Sequence, residues 1–277
     1  MIERERLVLI GHPVAHSLSP VMHNAALAAL GSPLRYETLD VPPEELGTVL
    51  ASLGMINIAG NCTVPHKKHA IESMGKLTAT AMRVGAINVF WRDAEGELAG
   101  DNTDVYGFRE MAAEVIGEMP ASARVAVLGA GGAAAAVLTA IDSWPDVSAT
   151  VHSRDLSRAV AMRMRHSVVV RACSMRDPCI ADANIVVNAT PLGLNESDPH
   201  PVEVDSLAPD AIVLDLAYGR NKTPWVRSAR SAGFRADDGL RMLLHQGVAA
   251  FERWFGVEPD KDLMWAALER ELGLQKA

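Results

Sequence analysis

Basic clusters, long apolar runs and metal-spaced cysteines are scarce in this chain. Lys and Arg number 26 against 34 Asp and Glu, a formal net charge of −8, and no block of Lys and Arg occurs. Nucleic acid or an anionic membrane surface as main partner would call for such a block, so neither is expected. A small anionic ligand, which needs only a few local donors, stays open. The longest apolar run, Val125 to Ala140, contains three glycines and is shorter than the ~20 residues of a membrane helix. Met1-Ile2-Glu3-Arg4-Glu5-Arg6 carries charge where a secretory signal is apolar. Cys62, Cys173 and Cys179 are odd in number and lack metal-ligand spacing. The nine histidines form no ligand set, and His66 and His69 stand beside Lys67 and Lys68, whose charges oppose a cation. No metal is therefore expected, and a reduced cytoplasmic protein is the simplest reading. There is no internal repeat and no low-complexity segment.

What is present has the balance of a globular protein, with 49% hydrophobic and 22% charged residues. A length of 277 residues suits two modest domains. A strand is predicted at Leu7–Ile10, then a helix with Ser19 as N-cap, Pro20 at its first position and Gly31 as its stop. A second helix is predicted to start at Thr63-Val64-Pro65 and stop at Gly75, and a third to run from near Asp104 to near Gly117. Beyond Pro120, apolar strands at Arg124–Leu128, Ala149–His152, Ser167–Val170, Ile185–Val187 and Ile212–Leu214 alternate with helix-length segments. That alternation is the signature of a parallel doubly wound sheet. The last forty residues return to helical patterning, with Leu243, Gln246, Gly247, Ala250 and Trp254 on one face.

Gly129-Ala130-Gly131-Gly132-Ala133-Ala134 fits G-x-G-x-x-A between a strand and a helix. The first glycine allows the tight turn, the second lets backbone N–H groups approach a pyrophosphate, and the small third residue lets helix pack on sheet. At the end of the next strand, Ser153-Arg154-Asp155-Leu156-Ser157-Arg158 offers two guanidinium groups one turn apart. They suit a 2′-phosphate and hence NADP, while Asp155 would suit the bare ribose of NAD. Ser17 and Ser19 sit at a helix start, where free N–H groups favour a carboxylate. Ser19 alone reads as an N-cap; Ser17 has no such structural duty. Lys67 needs a partner before it reads as more than a solvated lysine, and Asp104, in Gly100-Asp101-Asn102-Thr103-Asp104-Val105-Tyr106-Gly107-Phe108, is the candidate. Such a pair can move the proton of an alcohol that becomes a ketone. Gln246 is polar on an apolar helical face and reads either as a bonded core residue or as pocket lining.

Together these segments resemble the shikimate dehydrogenase family. The resemblance covers Gly11–Asn24, Asn61–Lys67, Gly85-Ala86-Ile87-Asn88, Gly100–Phe108, Gly129–Ala134, Asn188-Ala189-Thr190-Pro191-Leu192-Gly193, Asp215–Pro224 and Asp238–Gln246, in the family's order. It implies an N-terminal α/β substrate-binding domain over residues 1–104, with 238–277 packing back onto it, and a Rossmann-type NADP-binding domain over 105–237. It implies a site in the cleft between them, where Ser17 and Ser19 hold the substrate carboxylate. Thr63, Asn88, Asp104, Tyr218 and Gln246 would contact the ring, and Lys67 with Asp104 would be the catalytic pair. The expected cofactor residues are Gly129, Ala130, Gly131, Gly132, Ala133, Ser153, Arg154, Arg158, Thr190, Leu216 and Gly239. The implied activity is NADPH-dependent reduction of 3-dehydroshikimate to shikimate, in aromatic amino-acid biosynthesis, with small molecules as partners and a homodimer left open. Gly60-Asn61-Cys62, Val89, Asp155 and Arg220 depart from the family's usual residues. They keep open a quinate, shikimate or aminoshikimate dehydrogenase with NAD or dual cofactor use. A reading of another class is a non-catalytic NADP-binding sensor, since fold does not fix function.

Overall fold

The computed structural model describes residues 3–118, 120–163, 166 and 168–274. The chain divides into two units, Met1–Gly107 with Leu243–Ala277, and Phe108–Met242. Both are α/β.

In the first unit, the apolar run Leu7–Ile10 gives strand β1 (Arg6–Gly11), with all four of those side chains buried. Burial on both faces is what such a continuous run is suited to. β1 pairs in parallel with β2 (Tyr36–Asp40) on one side and β3 (Ile58–Cys62) on the other. With β4 (Lys76–Leu77), β5 (Val89–Arg92) and β6 (Leu98–Asp101), the order across the sheet is β2-β1-β3-β5-β6-β4. β5 runs antiparallel to both β3 and β6. Gly60 lies at the centre of β3, where an added Cβ would come within 2.2 Å of the Val8 carbonyl oxygen, so the departure to glycine there is steric. Helices α1 (Ser19–Ala29), α2 (Leu46–Leu53) and α3 (Ala79–Val84) connect the strands.

The chain leaves this unit within α4 (Asp104–Ile116), which stops at Gly117 with φ +69°. The second unit then alternates β7 (Ala123–Leu128), α5 (Gly132–Ile141), β8 (Val147–Ser153), α6 (Leu156–Arg163) and β9 (Val169–Ser174). It continues with β10 (Ile185–Asn188), β11 (Ile212–Asp215), α7 (Pro224–Ser231) and β12 (Arg235–Asp237). Every pairing is parallel and the order is β12-β11-β10-β7-β8-β9. Counted within the unit this is the doubly wound order 3-2-1-4-5-6, with its reversal between β7 and β10. α8 (Leu240–Phe255) and α9 (Lys261–Leu272) end the chain, and α9 packs on α1 in the first unit. Among the described residues no helix is long and apolar enough to cross a membrane.

Four local expectations need correction. Ser19 is the first residue of α1 rather than its cap; the cap position is Leu18, and the hydroxyl that accepts a backbone N–H is that of Ser17, from Ser19 at 3.2 Å. The segment from Thr63 is a run of turns ending in a short 3-10 helix, Ala70–Ser73, not an α-helix. The Lys67 carbonyl that would have carried a helix forward accepts instead from Ile87 N–H at 2.9 Å. The strand expected at Ser167–Val170 begins at Val169 and runs to Ser174; Ser167 lies outside the described residues. α8 is buried on more than one face, since Leu244, His245, Val248 and Phe251 are covered along with Gln246, Ala250 and Trp254.

His23 of α1 is fully buried against Tyr36, Trp254 and Phe251, and neither ring nitrogen has a hydrogen-bond partner. Burial pushes its pKa down to about 3, so the ring is neutral in the folded protein. An unfolded chain would protonate it at its ordinary value, near 6.5. Stability from this residue is therefore complete above about pH 6.5 and lost as pH falls toward 3, at about 1.4 kcal/mol per pH unit. His23→Leu should remove that slope: urea midpoints measured at pH 7 and pH 5 should fall less for the variant than for the native chain.

Candidate active site

Strand order gathers the candidate residues of the first unit at one end of its sheet. β1 and β3 are parallel neighbours, with Ile10 opposite Cys62, so the segment bearing Ser17 and Ser19 and the segment bearing Thr63 and Lys67 leave from the same end. They are stitched there by Thr63 N–H to Ile10 O at 2.8 Å and His12 N–H to Val64 O at 3.2 Å. Gly11 is needed at this crossing, because a Cβ would meet Thr63 Cγ2 at 2.6 Å. β5 runs the other way, so its preceding residue, Asn88, comes to the same end, and Asn88 O accepts from Cys62 N–H at 3.0 Å. β6 runs antiparallel to β5 and delivers Asn102, Thr103 and Asp104 beside Asn88.

Lys67 Nζ donates to Asp104 Oδ2 at 2.7 Å, with the lysine half-buried and the aspartate side chain 6% exposed. The other carboxylate oxygen, Oδ1, accepts from Asn88 Nδ2 at 2.9 Å. Asn88 Nδ2 also lies 3.0 Å from Thr103 Oγ1 and 3.2 Å from Gln246 Oε1, while its Oδ1 accepts from Thr103 N–H at 2.7 Å. Gln246 is itself oriented by donating to Leu243 O at 2.8 Å. Lys67, Asp104, Asn88 and Gln246 thus form one bonded set, with Ser17, Ser19 and Thr63 at the same end of the sheet. Tyr218 lies in the second unit, on the loop after β11. Sequence reasoning passed over Thr103, Asn61 and Tyr36. Asn61 Nδ2 donates to Asn88 O at 2.9 Å, and Tyr36 Oη donates to Asn61 Oδ1 at 2.6 Å, both buried. The available signal was a polar Asn within an otherwise buried strand, which has to be bonded. Cys62, beneath this set, is an inert thiol: burial pushes it up to about 12, the Asp104 charge acts in the same direction, and Lys67 only partly offsets them.

In the second unit the cofactor candidates stand at the C-terminal ends of the parallel strands. Gly129 follows β7 with φ +109°, and a Cβ there would lie 2.9 Å from Ala189 O and 3.2 Å from Thr190 Cγ2, on the loop after β10. Gly131 differs: its backbone is extended, φ −99°, and an added Cβ would meet nothing within 4 Å. Its glycine is thus not required by the protein's own packing; it leaves open space at the start of α5, whose first turn has no side-chain cap. Open space beside an uncapped helix start fits a dinucleotide pyrophosphate. Thr190 is held by its N–H and Oγ1 donating to Asn188 Oδ1, at 3.0 and 2.7 Å. Gly239 approaches Leu216 so closely that a Cβ would fall 2.2 Å from its carbonyl oxygen. Ser153 is buried at the end of β8, and Arg154 and Arg158 are exposed beyond it. Asp155 lies between them with its carboxylate engaged. Oδ1 accepts from the Ser157 hydroxyl at 2.6 Å and backbone N–H at 3.0 Å, and Oδ2 lies 3.6 Å from Arg158 Nε. The Ser157 hydroxyl is the main reason its pKa lies below the ordinary carboxylate range.

Two family models match the chain: the shikimate dehydrogenase substrate binding domain over residues 9–90 and the shikimate 5'-dehydrogenase C-terminal domain over 239–269. A shikimate dehydrogenase (NADP(+)) of Rubrobacter xylanophilus is 41% identical over 95% of this chain and 95% of its own. The chain belongs to the shikimate dehydrogenase family. Among solved structures, a shikimate 5-dehydrogenase of Thermus thermophilus in complex with NADP(H) and shikimate superposes with TM-score 0.84 and 35% identity, covering 96% of this chain and 98% of that one. A quinate dehydrogenase of Corynebacterium glutamicum in complex with NAD gives TM-score 0.86 at 31% identity, covering 96% and 99%.

Asn88 is the joint of this site. Asn88→Ala would leave the Thr103 N–H without its acceptor and Asp104 with a single partner in a buried setting. The expected cost is about 1–3 kcal/mol of stability, read from urea unfolding. Asn61→Ala, which removes the bonds to the Asn88 backbone and to Tyr36 Oη but none to the Asn88 side chain, should leave the Asp104 contacts in place.

Proposed function

We propose that this chain is an NADP-dependent shikimate dehydrogenase, interconverting 3-dehydroshikimate and shikimate in aromatic amino-acid biosynthesis. The observation that carries the reading is the Lys67–Asp104 pair, 2.7 Å long and largely withdrawn from water, within the family's substrate-binding domain. When bound, the nicotinamide supplies or takes the hydride. Lys67 holds the proton that the carbonyl oxygen gains on reduction and that the alcohol loses on oxidation. Asp104 keeps the ammonium aimed, and Asn88 keeps Asp104 aimed. Ser17 and Ser19 bind the substrate carboxylate; because Ser17 Oγ already accepts from Ser19 N–H, its own hydroxyl hydrogen is left to donate. Thr63, Asn88, Tyr218 and Gln246 contact the ring hydroxyls.

On the cofactor side, the N–H groups of Gly129, Ala130, Gly131, Gly132 and Ala133 hold the pyrophosphate. Thr190, Leu216 and Gly239 line the site, and Ser153, Arg154 and Arg158 take the 2′-phosphate. Engagement of Asp155 with Ser157 and Arg158 supports NADP over NAD, since the carboxylate that would serve a bare ribose is already bonded. The three cysteines are free thiols, which suits a reduced cytoplasmic setting. The quinate dehydrogenase likeness supports a second reading, with side activity on quinate or NAD.

The test is nicotinamide absorbance with shikimate and NADP, repeated with quinate and with NAD. The first pair should dominate; no turnover with any pair, despite nucleotide binding, would favour the sensor. Lys67→Ala should lower kcat by about 10²–10⁴-fold while NADPH affinity stays within about twofold. Unchanged turnover would remove Lys67 from the chemistry. Asp155→Ala removes a negative charge and releases Arg158, so the ratio of kcat/KM for NADP over NAD should rise. A fall in that ratio would show that Asp155 positions Arg158 for the phosphate.

A further inference from the structure

Among the described residues of the second unit, one group of side chains has metal-ligand chemistry and no part in the proposed reaction. His152, Cys173 and Cys179 place one ring nitrogen and two sulfurs within 4.8 Å of one another. The chain separations hide this group, and strand pairing creates it. β8 and β9 are parallel with His152 opposite Cys173, and the turn after β9 brings back Cys179, whose N–H donates to Asp177 Oδ1 at 3.0 Å. Cys173 Sγ is 3.2 Å from Cys179 Sγ, and Cys179 Sγ is 3.9 Å from His152 Nε2.

We propose that His152, Cys173 and Cys179 form a site for Zn²⁺, with three protein ligands and a fourth position left to water. Zinc bonds of about 2.3 Å to sulfur and about 2.0 Å to imidazole nitrogen, set tetrahedrally, separate the donors by roughly 3.5–3.8 Å. The two sulfurs, at 3.2 Å, would open by about half an ångström toward the ~3.8 Å of a zinc-bound pair, and the nitrogen, at 3.9 Å from Cys179 Sγ, would close toward ~3.5 Å, with all three donors starting within 4.8 Å of one another. The imidazole is prepared for the task. Its Nδ1 lies 3.1 Å from Ser174 O, an acceptor only, so Nδ1 carries the hydrogen and Nε2 presents its lone pair toward the sulfurs. A backbone carbonyl fixing the far nitrogen is the usual second partner of a zinc-bound histidine. The Thr150 hydroxyl, 3.0 Å from Nε2, donates to it in the absence of metal and would yield by rotation. His152 and Cys173 are buried and Cys179 is half-buried, which leaves one side for entry. Arg171, on the same strand as Cys173, is turned to Asp177 at 3.5 Å. Binding replaces two thiol protons, released to solvent, with two thiolate–zinc bonds.

The full chain, reduced and stripped with a chelator, should take up one equivalent of Zn²⁺ in competition with a chromogenic chelator. Co²⁺ in its place should give a thiolate-to-metal charge-transfer band, and the thermal midpoint should rise with Zn²⁺. Cys173→Ala and Cys179→Ala should each weaken binding by at least about 100-fold, since even outer-shell changes cost about 10–100-fold. Cys62→Ala should bind as the native chain does. The half-buried position of Cys179 makes its variant the decisive one, and its metal-free thermal midpoint will show that it is folded. Uptake unchanged in Cys179→Ala, no stoichiometric uptake by the native chain, or a cobalt complex without the charge-transfer band would each overturn the site. So would a Cys173–Cys179 disulfide in protein purified without reductant, if zinc uptake is absent after reduction.

Discussion

A buried carboxamide with both ends satisfied holds the candidate site together. Asn88 faces Asp104, Thr103 and Gln246 with its nitrogen and Thr103 N–H with its oxygen, and its own backbone oxygen is taken by Cys62 N–H and the Asn61 amide. Those partners arrive from three places: the end of β3, the junction of β6 with α4, and α8. An isolated buried lysine–aspartate pair is worth little net, because desolvation offsets most of the attraction. Here the aspartate has a second donor and cannot rotate away, so the lysine has one place to point. Precision of that kind is what the proposed proton transfer requires, since small displacements of reacting groups cost rate steeply.

The sheet of the first unit brings these ends together. The C-terminal ends of β1, β3 and β6 and the N-terminal end of β5 meet at one end of the sheet only because β5 reverses direction between β3 and β6. Had β5 been parallel to β3, Asn88 would emerge at the far end of the sheet and the Lys67–Asp104 pair would lose its brace. The second unit solves a different problem with a uniform sheet. All its strands end at one edge, so β7 and β10 flank the reversal and present Gly129 and Thr190 side by side. Glycine acts there in two distinct ways: Gly129 because the backbone takes a left-handed conformation against Ala189, and Gly131 because open space is kept at a helix start.

How much was legible in the sequence follows from how local the determining forces are. The apolar runs at Leu7–Ile10 and Arg124–Leu128, the glycine loop, and the Asp104–Gly117 helix are set by neighbours in the chain, and all appear in the structure. The Thr63–Gly75 segment did not become an α-helix because a carbonyl was captured by Ile87, twenty residues on, which no local rule announces. Ser17 and Ser19 exchanged capping duties for a related reason: the turn entering α1 places the earlier hydroxyl against the later N–H. The His152, Cys173 and Cys179 group was invisible because ligand spacing is a rule for turns and helices. Parallel strand pairing brings together residues far apart in the chain, and any spacing between them is compatible.

Asp155, which reads two ways in sequence, has neighbours in the structure that bear on the proposed choice of cofactor. Read alone, a carboxylate at the end of the second strand of a doubly wound unit argues for a bare ribose and so for NAD. In the structure Ser157, at the first turn of α6, donates twice to one of its oxygens, and Arg158 stands against the other. The acid is then part of the helix start, and the charge it offers to a ligand is partly spent on its own arginine. Arg154 is exposed beside it. A 2′-phosphate has the charge to draw Arg158 away from a single solvated carboxylate, because an exposed ion pair is worth at most about 1 kcal/mol. A neutral ribose hydroxyl has no comparable pull. The same six residues can therefore hold an acid in the position where NAD enzymes use one and still prefer the phosphorylated cofactor.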